Sequence, residues 1–170
     1  MKFPTTLALM SLFSLLFAAA KAEPLKVGDP APAVSAITDS GAKINLAEVY
    51  KQQPYTLVYF YPKADTPGCT KQGCSLRDGN AELTRKGVAI VGVSTDTVEA
   101  QKAFKDKFHF PFTLIADTDK AVVKAFGQAG GLFAKREAYL IKDGRIVYKD
   151  TGVTDKQAEN ILTFLATQKS

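Results

Sequence analysis

The stretch from Tyr61 to Cys74, Tyr-Pro-Lys-Ala-Asp-Thr-Pro-Gly-Cys-Thr-Lys-Gln-Gly-Cys, constrains this chain more than any other. It carries both cysteines of the protein and follows an apolar, β-branched and aromatic run, Thr56 to Tyr61, with the pattern of a buried strand. Pro62 stops that strand, because proline has no amide hydrogen to give a sheet ladder. Thr66-Pro67 has the form of a helix start, with threonine at the N-cap and proline at the first helical position. Cys69 then falls in the first helical turn, where unpaired amides and the positive end of the helix dipole favour an anion. A thiol so placed gives up its proton more readily, and the thiolate is the nucleophilic form. The residues alone thus describe an activated cysteine at a strand-to-helix junction, with Cys74 five residues further on.

The segment Pro62-Lys-Ala-Asp-Thr-Pro-Gly-Cys69 resembles the active-site motif of the peroxiredoxins, Pro-x-x-x-Thr-x-x-Cys. Cys74 stands where the peroxiredoxin Q group (bacterioferritin comigratory proteins) often carries a resolving cysteine. The resemblance continues through Leu76-Arg-Asp78, Gly92-Val-Ser-Thr-Asp96, Phe112-Thr-Leu-Ile-Ala-Asp117 and Arg136-Glu-Ala-Tyr-Leu-Ile141, so it covers nearly the whole chain after the N-terminal segment. It implies an α/β thioredoxin-like fold of the peroxiredoxin type, a central mixed sheet flanked by helices with an N-terminal β-hairpin. It also implies a thiol-dependent peroxidase that reduces hydrogen peroxide and alkyl hydroperoxides. In that reading Cys69 is the peroxidatic cysteine and passes through a sulfenic acid. Cys74 resolves it as an intramolecular disulfide, and a thioredoxin-like donor or small thiol re-reduces the pair. Thr66 and Arg136 contact the peroxide, Pro62 shields the cysteine, and no cofactor is needed.

The chemistry asks for the same groups. When a thiolate attacks one peroxide oxygen, negative charge moves to the leaving oxygen, so fixed donors must surround both. The amides of Gly68 and Cys69, the Thr66 hydroxyl and one arginine are the candidates. Each has a plainer reading. Thr66 as a helix cap alone is worth ~1 kcal/mol. Arg136 as a surface charge would simply stand beside Lys135 and Glu137, although alternation along the following strand sets it on the face of Ala138 and Leu140. The cysteines could form a structural disulfide, but so short a loop stabilises by only ~2 kcal/mol in the chain-entropy model. A second alternative is a thioredoxin-type disulfide exchanger, disfavoured by the absence of Cys-x-x-Cys; a redox-sensing or holding module without turnover is a third. Two cysteines and the single histidine, His109, make no plausible metal site. His109, between Phe108 and Phe110, reads as a core-edge residue.

Lys2, an apolar stretch from Leu7 to Ala20 and the Ala20-Lys21-Ala22 pattern have the form of a secretory signal peptide over residues 1–22. The apolar run is short for a membrane span of ~20 residues. Cleavage after Ala22 leaves 148 of the 170 residues, 23–170, enough for a single domain with its own core. The 22 basic residues fall to 20 against 17 acidic ones, a net +3 with no basic block, which argues against nucleic acid. The expected location is the periplasm or the exterior, with no stable membrane association. No cysteine follows Cys74, so none is available near the C-terminus to resolve a partner subunit, and a monomer is expected.

Along the rest of the chain, Val34–Thr38 and Lys43–Leu46 read as a small hairpin about Asp39-Ser-Gly41. The helix carrying Cys69 is expected to end at Lys86-Gly87, with Gly73 loosening it. Strands are expected over Val88–Ser94 and Phe112–Ala116. A helix over Thr97–Phe108 presents Ala100, Ala103, Phe104 and Phe108 on one face. A short helix over Asp119–Phe126 leads to a compact loop, Gln128 to Lys135. Asp143-Gly144 joins two strands in a hairpin, and Thr154–Gln157 resembles a capping box before a last helix bearing Ala158, Ile161, Leu162 and Leu165 inward.

Overall fold

A computed structural model describes residues 23–128 and 130–168; the signal-peptide expectation for residues 1–22 lies outside them. In chain order the elements are β1 (Ser35–Ile37), β2 (Lys43–Asn45), α1 (Leu46–Val49), β3 (Tyr55–Phe60), α2 (Pro67–Arg85), β4 (Val88–Ser94), α3 (Val98–Phe108), β5 (Thr113–Ala116), α4 (Ala121–Ala125), β6 (Glu137–Lys142), β7 (Arg145–Thr151) and α5 (Gln157–Thr167).

β3 lies at the centre of a five-stranded sheet ordered β5-β4-β3-β6-β7. It pairs in parallel with β4, which pairs in parallel with β5; on its other side β6 runs antiparallel to β3, and β7 antiparallel to β6. A continuous apolar run suits a strand covered on both faces, and alternation divides it between two cores. Leu57 and Tyr59, with Ile90, Leu114, Ala138 and Leu140, meet Leu76 and Leu83 of α2, Phe104 of α3 and Ile161 of α5. Val58 and Phe60, with Val91, Val93, Tyr139 and Ile141, meet Leu46 of α1 and Val122 and Val123 of α4. β1 and β2 form a separate antiparallel pair. The β6–β7 turn places both Asp143 (φ 50°) and Gly144 (φ 70°) in the left-handed region, as a two-residue hairpin of this twist requires.

Several sequence expectations are corrected. Leu46 to Val49 is a helical turn, capped by the Asn45 side chain on the Ala47 amide. On α3, Ala103 is exposed and Gln101 is buried instead. The Gln101 amide donates to Ser94 Oγ at 2.8 Å and to the Ile115 carbonyl at 2.7 Å, and accepts from the Tyr61 hydroxyl; internal partners make a glutamine acceptable where periodicity suggests alanine. No capping box forms at Thr154. α5 starts at Gln157 with no side-chain cap, and Gln157 points inward to partners on α2 and β7. His109 is exposed, closing α3 in a left-handed conformation (φ 54°).

Candidate active site

Pairing of β3 with β6 puts Tyr59 opposite Ala138. The chain leaving β3 and the chain entering β6 therefore meet at the same end of the sheet. Pro62 to Thr66 cross that end as a loop pinned on both sides. The Ala64 amide donates to Asp96 Oδ2 at 2.7 Å, and the same oxygen accepts from Ser94 Oγ. Asp65, with φ 56°, pairs with Lys107 of α3.

α2 begins as the sequence indicates, with Thr66 at the N-cap and Pro67 following. The Thr66 side chain does not cap it. Its hydroxyl donates to the Lys63 carbonyl at 2.9 Å, while the backbone carbonyl of Thr66 accepts from Thr70. The first-turn amides at Gly68 and Cys69, which have no intrahelical acceptor, are therefore not occupied by the cap side chain.

Cys69 is 1% exposed. Arg136 Nη2 lies 3.4 Å from its sulfur, and Nη1 donates to Gln72 Oε1 at 2.7 Å. A Cβ on Gly68 would stand 3.1 Å from Nη2, so glycine leaves room for the guanidinium against the start of the helix. The structure thus brings Thr66, Gly68, Cys69 and Arg136 to one place, with half-buried Pro62 at the head of the same loop.

Cys74 is a free thiol, half-buried, on the same unbroken helix. Gly73 has a packing role that the sequence does not reveal. A Cβ there would lie 2.6 Å from Phe110 Cζ, so its absence lets the ring lie against the helix between the two cysteines. Phe110 continues into an aromatic group with Phe104, Phe108 and Phe112. Burial, followed by the charges possible at Tyr61, Cys69 and Cys74, raises the Tyr59 phenol well above its ordinary value, so it is neutral beneath the site.

Sequence reasoning missed Gln72, Gln157 and Asp150, which continue from Arg136 through α2 and α5 to β7. No motif signals them, because each is defined by a partner distant in sequence. Burial raises the Asp150 carboxyl above the usual carboxylate range, opposed in part by hydrogen bonds from Gln157 and Tyr148. Among the described residues no cluster of three His, Cys, Asp or Glu side chains could hold a metal, and no helix is long and apolar enough to cross a membrane.

Residues 27–149 match the AhpC/TSA family. Peroxiredoxin Bcp of Escherichia coli K12 is 47% identical over 107 residues, 63% of this chain and 67% of that protein. The chloroplastic peroxiredoxin Q of Sedum lineare is 35% identical over 148 residues, 84% and 78% of the two chains. Among solved structures, peroxidoxin BcpB of Mycobacterium tuberculosis superposes with a TM-score of 0.80 at 29% identity, covering 86% of this chain and 99% of that one. Peroxiredoxin Q of Xanthomonas campestris gives 0.74 at 27%, covering 84% and 98%. The mixed sheet with its N-terminal hairpin is thus the thioredoxin-like peroxiredoxin fold, and the chain belongs to the AhpC/TSA family as a peroxiredoxin of the Bcp and peroxiredoxin Q group.

Proposed function

We propose that the protein reduces hydrogen peroxide and small alkyl hydroperoxides with Cys69 as the attacking sulfur. The observation that carries this is the guanidinium of Arg136 at 3.4 Å from a buried thiol in the first turn of α2. A cation and a helix N-terminus both favour the thiolate. The thiolate displaces alkoxide or hydroxide from the O–O bond, leaving a sulfenic acid on Cys69, and the departing oxygen takes up a proton as alcohol or water. Arg136 and the Gly68 and Cys69 amides are placed to stabilise the charge as it moves. The Thr66 hydroxyl, whose proton is engaged by Lys63, offers its lone pairs to the peroxide O–H. Pro62 limits access of water.

The Cys74 thiol then attacks the sulfenic sulfur, forming a Cys69–Cys74 disulfide and releasing water. A dithiol returns the pair to thiols by exchange. The N-terminal segment supports an exported enzyme, whose reductant is an exported thioredoxin-like protein or a small thiol, and two cysteines on one helix suit an intramolecular disulfide in a monomer. The test is peroxide consumption by the mature chain with a dithiol donor. Cys69→Ser is expected to abolish turnover, and wild-type rates in that variant would refute the assignment.

A further inference from the structure

Arg136 is the first member of a file of hydrogen bonds, buried at its two central glutamines, that leaves the site and ends on another strand. Its Nη1 donates to Gln72 Oε1 at 2.7 Å; Gln72 Nε2 donates to Gln157 Oε1 at 2.8 Å; Gln157 Nε2 donates to Asp150 Oδ2 at 2.7 Å. The Tyr148 hydroxyl donates to that same carboxylate oxygen at 3.2 Å. Gln72 and Gln157 are both 0% exposed. A guanidinium can only donate and a carboxylate can only accept, so two amides between them can run in one direction only. The two ends agree: Arg136 takes the carbonyl oxygen of Gln72, and Asp150 takes the amino group of Gln157, which leaves Gln157 Oε1 to accept from Gln72 Nε2 and hold that orientation.

We propose that Gln157 and Asp150 are positioning residues for the peroxidase reaction, a relay that holds the Arg136 guanidinium against the sulfur of Cys69 through Gln72. The proposal rests on Cys69 being the attacking sulfur. Arg136 is only half-buried and long, so by itself it samples several rotamers. A charge-assisted bond at Nη1 fixes the planar fork and with it the direction of Nη2. The arrangement also carries a cost that plain packing would avoid. Asp150 Oδ1 is buried without a hydrogen-bond partner, and the acid is held where burial disfavours its charge. A site that tolerates such a cost is explained by a task for the carboxylate.

The experiment uses the mature chain carrying Cys74→Ser, so that only Cys69 alkylates. It reads the pH profile of iodoacetamide alkylation, the single-turnover rate with hydrogen peroxide, and the thermal melt. Gln157→Leu keeps the volume and removes the relay. It is expected to slow peroxide attack about tenfold, the scale of one charge-assisted hydrogen bond, and to move the alkylation profile to higher pH. Asp150→Asn is expected to slow attack several-fold. Adding Gln157→Glu to Asp150→Asn restores the direction of the file, since the new amide donates to the new carboxylate, which accepts from Gln72; the rate is expected to recover. A folded Gln157→Leu variant with the parent rate and alkylation profile overturns the proposal. If that variant does not fold, the other two decide: recovery in the double variant supports the relay, and its absence overturns it. A parent protein that alkylates normally but consumes no peroxide defeats the peroxidase reading instead, and the alkylation profiles still judge the relay.

Discussion

Nη2 of Arg136 stands 3.4 Å from the sulfur of Cys69, although 67 positions separate the two residues in the chain. One belongs to the strand end at β6 and the other to the first turn of α2. They meet because β3 and β6 pair antiparallel, with Tyr59 opposite Ala138, so both chains reach the same end of the sheet.

Arg136→Ala is expected to slow peroxide attack at least about tenfold, since it removes a charge-assisted donor worth about 1.5–3 kcal/mol. Arg136→Lys is expected to recover little, because a lysine cannot serve Gln72 and the sulfur with one rigid fork. Stopped-flow peroxide reduction checks both. Rates and alkylation profiles unchanged in the alanine variant return Arg136 to the role of a surface charge.

The Cys69–Cys74 bond is expected to require local unwinding of α2. Residues five apart on an ideal helix have Cα atoms ~8.7 Å apart and point about 140° apart around the axis. A disulfide needs a Cα separation of ~4.4–6.8 Å. Both thiols are free here and the helix is continuous through them. Amide exchange between Cys69 and Arg77 is expected to be faster in the oxidised protein. Cys74→Ser is expected to consume one equivalent of peroxide and stall as the sulfenic acid. Equal protection in both redox forms, with the bridge verified by mass, sinks the mechanism.

Gly73→Ala separates two opposed expectations. If Gly73 merely loosened the helix, alanine would stabilise by up to about 1 kcal/mol. The Phe110 ring, with Cζ 2.6 Å from where the new Cβ would sit, makes overpacking the larger effect. A net destabilisation of about 1–2 kcal/mol is expected from urea unfolding of the reduced protein. A stabilised variant would show that the ring moves aside freely.

Asp150→Asn is expected to stabilise the fold at neutral pH while slowing the chemistry. Burial raises the folded-state carboxyl above its unfolded value. Between those two values the folded chain binds more protons than the unfolded chain, so this residue's contribution is most favourable in acid and is lost as pH rises through the folded value. The asparagine variant does not titrate. Its melting temperature should therefore exceed that of the wild type by more at neutral pH than in acid, where protonated Asp150 resembles it. A difference independent of pH would remove Asp150 ionisation as the cause.

Local chemistry was legible in the sequence. Pro62 ended a strand, Thr66-Pro67 opened a helix, Asp143-Gly144 made a hairpin, and the position of Cys69 in a first helical turn followed without any long-range contact. These outcomes depend on backbone geometry within a few residues, which residue type controls directly. The tertiary structure decided what distant side chains do for one another. It turned the Thr66 hydroxyl onto Lys63, drew Gln157 out of an expected capping box, buried Gln101 where periodicity favoured alanine, and laid Phe110 on Gly73. A buried polar group goes where its hydrogen bonds are satisfied, and a glycine is required where another chain segment approaches. Both conditions are set by partners tens of residues away, which sheet register and helix packing bring together only in the folded chain.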